Sequence, residues 1–220
     1  MAPSALEHVL SSLPAATSSW QESITRRTGL AFDGGGGALR TDAFLIAFSG
    51  VTRELDASEQ ATPWCSWRTA WPLSELARAA MLLAAAQQLP ADKYVTLLSD
   101  LYRYAESGEK CALLRTLPLI DEPRRFLNQA TDASRGSIPT VFEALACENP
   151  YPAAHFPDGT FNQLVLKVVT MGLPLARVHN LPERVNAELV QMARTYAEER
   201  RGAGRSVPAD LGLLTGPIRA

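Results

Sequence analysis

The chain has 220 residues, 46% of them hydrophobic, with 21 basic and 23 acidic side chains and a net charge of −2. That length can bury a sizeable core, and the charges are scattered with no basic block to neutralise a run of phosphates, so nucleic acid is not an expected partner. The three cysteines, Cys65, Cys111 and Cys147, lie far apart and never form C-x-x-C, which predicts reduced thiols in a cytoplasmic setting rather than a disulfide framework or a zinc site.

The opening stretch "MAPSALEHVLSSLPAATSSW" has no cationic leader and no sustained apolar region, so no secretory signal is expected. Helices are predicted over Ser4 to Leu13, Ala16 to Thr28 and Thr41 to Thr52, the least regular part of the chain. Between the last two lies "AFDGGGGALR". It lacks the lysine and hydroxyl of a phosphate-cradling loop, and residues 31–38 read as a flexible glycine-rich connection.

From Pro72 to Leu89 the apolar residues Leu73, Leu76, Ala77, Ala80, Leu83 and Ala84 keep helical spacing, and Met81, Leu82 and Ala85 extend the apolar surface almost all round. Such a helix belongs at the centre of a bundle. Pro90 opens a second helix with Tyr94, Leu97, Leu98, Leu101 and Ala105 on one face, ended by Gly108. Further helices are predicted at Glu109 to Leu117, Pro123 to Ala133, Pro139 to Cys147, Gly159 to Met171 and Asn186 to Arg201, separated by Pro or Gly. Asn186 would cap the last, with Val185, Leu189, Met192 and Tyr196 facing inward. No strand is predicted. The pattern describes an all-α fold, one domain over 1–220, built as a compact helical bundle or an irregular HEAT-like stack of antiparallel helices. The most apolar run, "MLLAAAQQL", is short of the roughly 20 residues that span a bilayer; peripheral membrane contact stays open.

Catalytic constellations are missing from the sequence. With only His8, His155 and His179 there is no H-E-x-x-H, and neither G-x-S-x-G nor D-D-x-x-D occurs, so no metal and no cofactor is expected. Two stretches could carry binding chemistry. In "ATPWCSWRTAWPL", a short helix capped by Thr62 with Pro63 at its first position would place Trp64, Trp67 and Trp71 on one face. That face is either packed core or an aromatic pocket wall with indole N–H groups as polar handles. In "FNQLVLKVVTMGLPL", one broad arc of the helix is apolar, Asn162 lies at its edge, and Gln163, Lys167 and Thr170 form a narrow polar strip opposite. Asn162, Gln163 and Lys167 either satisfy the preceding proline-rich loop and reach to water, or, with His155 nearby, face a cavity and bind a polyol, carboxylate or phosphate.

The block from Phe161 to Leu211 contains an N-Q-x-V-L-K-type helix, "NQLVLK", a G-x-P-L turn, and a helix closing on "ERRGAGR" before a proline. It resembles the C-terminal signature of the EboA-like proteins, with Arg201 as a departure. "WPLSELARAAMLLAA" is similar to that family's central helix and "NPYPAAHF" to the loop before its signature. The resemblance implies an accessory role in an ebo-type secondary-metabolite pathway, whose neighbouring genes resemble a UbiA-type prenyltransferase and a sugar-phosphate cyclase. The implied ligand is an isoprenoid- or cyclitol-type intermediate, and the implied partners are those enzymes. It brings no catalytic residues. An enzyme acting on a prenylated cyclitol, as a transferase or lyase, and a pure helical scaffold are the alternatives.

Overall fold

A computed structural model describes residues 4–32, 38–55, 59–61, 65, 67–68 and 70–215. The glycine run at 34–37 and Trp64 lie outside the described residues. Helices α1 (Ala5–Ser12), α2 (Ser18–Thr28) and α3 (Thr41–Glu54) come first. Ser4 begins α1 with a reciprocal capping box to Glu7. Gly29 ends α2 with φ 76°, and a Cβ there would sit 2.7 Å from the Ala38 carbonyl oxygen, so only glycine fits this turn.

A two-residue pair follows, β1 (Gln60–Ala61) antiparallel to β2 (Trp71–Pro72). Where a tryptophan-bearing helix was expected, Trp67 lies in a turn and Trp71 in β2, so the expected one-face alignment fails for this pair. The backbone N–H of Leu73 donates to Glu59 O at 2.8 Å, extending the ladder contact that holds Trp71 in extended backbone.

Helix α4 (Leu73–Gln88) is the central helix, buried on all sides from Leu73 to Ala85. Its small alanines let neighbours approach closely. It packs against α1, α3, α5 (Ala91–Tyr104) and α6 (Ser107–Thr116). Gly108 does not end α5. That helix stops at Tyr104, and Glu106 and Glu109 form a capping box that starts α6 at Ser107, placing Gly108 in its first turn. The 3₁₀ turn Pro123–Phe126 leads into α7 (Leu127–Arg135), and α8 (Pro139–Ala146) packs on α6 and α7. After the single turn α9 (Tyr151–His155) comes α10 (Asp158–Thr170), which contacts α7, α8 and α12.

The G-x-P-L turn closes α10. Gly172 adopts φ 71°, Leu173 N–H donates to Val168 O at 3.0 Å and Gly172 N–H to Val169 O at 3.1 Å, the paired bonds of a Schellman motif. The short α11 (Leu181–Arg184) precedes α12 (Ala187–Gly202), whose cap is Asn186, accepting from Leu189 N–H at 2.9 Å. The inward stripe of α12 is Leu189, Ala193 and Ala197, with Met192 and Tyr196 only half-buried. Helix α13 (Gly212–Thr215) completes an all-α fold with one continuous buried cluster from Leu6 to Leu214. No helix among the described residues is long and apolar enough to cross a membrane.

Candidate functional site

The polar residues of α10 face three ways. Asn162 is fully buried, and its Nδ2 donates to Asn186 Oδ1 at 3.2 Å and Glu188 Oε2 at 3.1 Å, while Asn186 Nδ2 donates back to Asn162 Oδ1 at 3.0 Å. The pair locks α10 to the capped start of α12. Gln163 is exposed. Lys167 Nζ donates to Ser134 O at 2.9 Å and Gly136 O at 2.6 Å, placing a cation at the C-terminal end of α7, 4.4 Å from the Phe142 ring centre. Burial lowers the Lys167 pKa. His155, on α9, lies with its ring centre 4.7 Å from that of Tyr151, and its buried Nδ1 has no hydrogen-bond partner among the described residues. Asn162, Lys167 and His155 thus each engage a different part of the fold.

The densest polar chemistry lies elsewhere, where α4, α6, α8 and the 3₁₀ turn Leu175–Arg177 converge on Arg68 and Trp71. Glu75, in the first turn of α4, receives a two-oxygen grip from Arg115 Nη1 on α6. Their side chains are only 11% and 15% exposed. Arg177 Nε donates to Glu148 Oε1 at 2.6 Å and its Nη2 to Glu148 Oε2 at 3.1 Å, and its Nη1 lies 2.6 Å from Glu143 Oε1. The hydrogen bonds from Arg177 hold Glu148 below the usual carboxylate range, and Glu148 in turn raises Arg177.

The backbone around this cluster is shaped to hold it. Glu148 has φ 48°, a left-handed conformation that a non-glycine residue adopts at a cost. Its N–H donates to Arg177 O at 2.8 Å. The next residue, Asn149, is buried and spans Leu114 O, Ala144 O and Tyr151 N–H at 3.1, 3.0 and 3.0 Å. The turn after α10 leads directly into Leu175–Arg177, so the local role of G-x-P-L is to deliver Arg177 to Glu143 and Glu148.

Arg68 completes the cluster. Its side chain is 10% exposed, its Nε donates to Ala70 O at 2.7 Å, and its guanidinium lies 5.9 Å from the Trp71 ring centre. The nearest carboxylate oxygen, on Glu148, is 4.0 Å from Nη1, beyond hydrogen-bond reach. Arg68 Nη1 and Arg115 Nε are both buried with no hydrogen-bond partner among the described residues. Burial first, and then the Arg115 cation, lower the Arg68 pKa. Trp67 is half-buried against the core beside Arg68.

All three cysteines border this region as free, buried thiols. Cys111 Sγ donates to Thr140 O at 3.5 Å. Burial pushes Cys65 and Cys111 up and takes Cys147 to about 11, so none has the depressed pKa of a nucleophile. Among the described residues, no group of three or more His, Cys, Asp or Glu is placed to hold a metal ion. The arrangement can bind a polar group through guanidinium N–H donors beside tryptophan.

Residues 37–215 match the family model described as metabolite traffic protein EboA. The chain belongs to the EboA family. That match takes in α3 to α13 and every residue of the arginine–glutamate cluster. A search of the curated proteins and one of the solved structures each return no match. Within this EboA chain, the residue pattern alone did not single out Arg68, Glu75, Arg115, Glu143, Glu148 or Arg177. One signal was legible: Glu75 and Arg78 are charges three apart on a helix otherwise apolar all round, which requires them to be buried and paired. Arg78 is 3% exposed, and its Nε donates to Phe48 O at 3.0 Å.

Proposed function

We propose that this chain is an accessory protein of secondary-metabolite traffic that binds a small intermediate, of isoprenoid or cyclitol type, and passes it to a partner enzyme without converting it. The partner would be a pathway enzyme such as a UbiA-type prenyltransferase. The family's description as a metabolite traffic protein supports the class of role. The observation that carries the binding reading is the pair of buried guanidinium donors, Arg68 Nη1 and Arg115 Nε, that find no hydrogen-bond partner among the described residues. A buried donor without an acceptor costs about 1–3 kcal/mol, more when charged, and an incoming ligand oxygen recovers that cost. In this reading Trp67 and Trp71 supply the apolar wall beside Arg68, while Asn162 and Lys167 hold the surrounding helices in register.

Two probes separate the ligand classes: quinate, a cyclitol carrying a carboxylate, and geranyl diphosphate. Each is titrated into the purified full chain and followed by tryptophan fluorescence and calorimetry. At least one binds saturably, and Arg68→Met weakens it about tenfold or more, the loss of one charge-assisted bond. Equal affinity in Arg68→Met, or no binding of either probe, removes the assignment. Product formed from a bound probe without any partner removes the non-enzyme role.

A further inference from the structure

The opposite end of α4 carries a second feature. A cavity of about 160 Å³ opens between the C-terminal end of α4, the start of α5 and the turn before α7. Ala86, Leu89, Ala91, Val95, Ile120 and Phe126 give it mostly apolar walls. Tyr94 also lines it, is 6% exposed, and has a buried hydroxyl with no hydrogen-bond partner among the described residues. The ring of Tyr94 is fixed edge-on to Phe126, with centres 6.3 Å apart and planes at 85°. A phenolic hydroxyl both donates and accepts, and when buried it ordinarily finds a partner. Here no described residue supplies one, and Tyr94 borders the cavity.

Size and charge narrow what fits. An apolar cavity of about 150 Å³ accommodates a benzene-sized guest. At the rim, Arg125 is already paired, with Glu122 at 2.7 Å and Asp92 at 3.7 Å. Asp121 and Glu122 leave the lining with one more carboxylate than guanidinium, which disfavours an anion. The site is therefore chemically unlike the arginine cluster, which begins at Glu75, roughly three turns away along α4.

We propose that this cavity is a second binding site, taking a neutral one-ring molecule whose single hydroxyl or carbonyl oxygen pairs with the Tyr94 hydroxyl. It stands independently of the role proposed for the arginine cluster. Near-isosteric probes test it: phenol, with one hydroxyl, and toluene, with none. Methyl NMR of the full chain follows the signals of Ala86, Ala91, Val95 and Ile120. The expected result is saturable binding of both probes, with shifts confined to those methyls. Tyr94→Phe keeps the ring and weakens phenol about fivefold, the worth of one neutral hydrogen bond, while toluene is unchanged. Ala86→Phe fills the cavity and abolishes both. Ala91→Phe, at the exposed first position of α5, does the same from the mouth and avoids the risk that the substitution at half-buried Ala86 unfolds the chain. The proposal is overturned by scattered or unsaturable shifts, as for a cavity holding water only. Equal weakening of phenol and toluene by Tyr94→Phe, or binding that survives in a folded Ala86→Phe or Ala91→Phe chain, overturns it as well.

Discussion

Arg115→Met tests the energetic reading of the cluster. The guanidinium contacts both oxygens of Glu75, and the two side chains are 15% and 11% exposed. Removing it leaves a buried carboxylate without its main partner, a change that costs about 3–5 kcal/mol. The lower end is expected, because Arg68 also acts electrostatically on Glu75 and remains after the substitution. For a chain of this size, 3 kcal/mol lowers the melting temperature by roughly 6–12 °C. The double variant Glu75→Leu with Arg115→Met removes both charges and substitutes apolar volume, so it is expected within about 1 kcal/mol of the parent. Urea unfolding at pH 7 of the four proteins in the cycle, followed by circular dichroism, gives the coupling energy. A loss below about 1 kcal/mol for Arg115→Met, or a double variant no more stable than the single one, refutes the buried-pair argument.

Three further outcomes follow from named contacts. Asn162→Leu keeps the volume but deletes the three amide bonds to Asn186 and Glu188, costing about 2–4 kcal/mol in urea unfolding, while Gln163→Ala, at an exposed position, changes stability by less than about 0.5 kcal/mol. Lys167→Met loses the ammonium over Phe142 and its two bonds to carbonyls at the end of α7, costing about 1–3 kcal/mol in the same assay. Cys147 is raised to about 11 from 9.0, so the unfolded thiol ionises first and the unfolded state holds fewer protons. Its stabilisation is complete below pH 9 and is lost as pH rises toward 11, by up to roughly 2–3 kcal/mol, and Cys147→Ala should lower the alkaline slope of the urea midpoint relative to the parent.

Local pattern carried most of the helices because each depends on residues close in sequence. The Ser4 capping box, Asn186 as the cap of α12, and the apolar face of α5 at Tyr94, Leu97, Leu98 and Leu101 are all set within a few positions. The failures have equally local causes. Gly108 looked like a helix end, yet the Glu106–Glu109 box that encloses it made it part of a helix start. Trp67 and Trp71 have helical spacing, but the pairing of Gln60 with Pro72 and Ala61 with Trp71 draws the second into a strand. A partner some ten residues away overrode the periodicity. In α12 the buried stripe is Leu189, Ala193 and Ala197, with the larger Met192 and Tyr196 left half-buried at its edge.

The cluster was less legible because its pairings are long-range: Glu75 meets Arg115 across 40 positions and Glu148 meets Arg177 across 29. Charge alone reads as solvated surface in such segments, and only the fold brings Arg68, Glu75 and Arg115 under cover while leaving Glu143, Glu148 and Arg177 half-buried. The covered Glu75–Arg115 pair is hard to justify by stability, since a buried pair replaced by apolar residues of like volume is often no less stable. Arg68 sharpens the point. It is desolvated, lies near a second guanidinium, meets no carboxylate within hydrogen-bond reach among the described residues, and shares the cluster with a residue in left-handed backbone at Glu148. The Ala70 carbonyl and the Trp71 ring offset part of that cost for Arg68, and Arg177 offsets it for Glu148; the buried donor left over is what the proposed ligand would satisfy. Asn162 and Lys167 show the converse: every bond they make closes a helix end or joins two helices, so their polarity is accounted for by the fold itself.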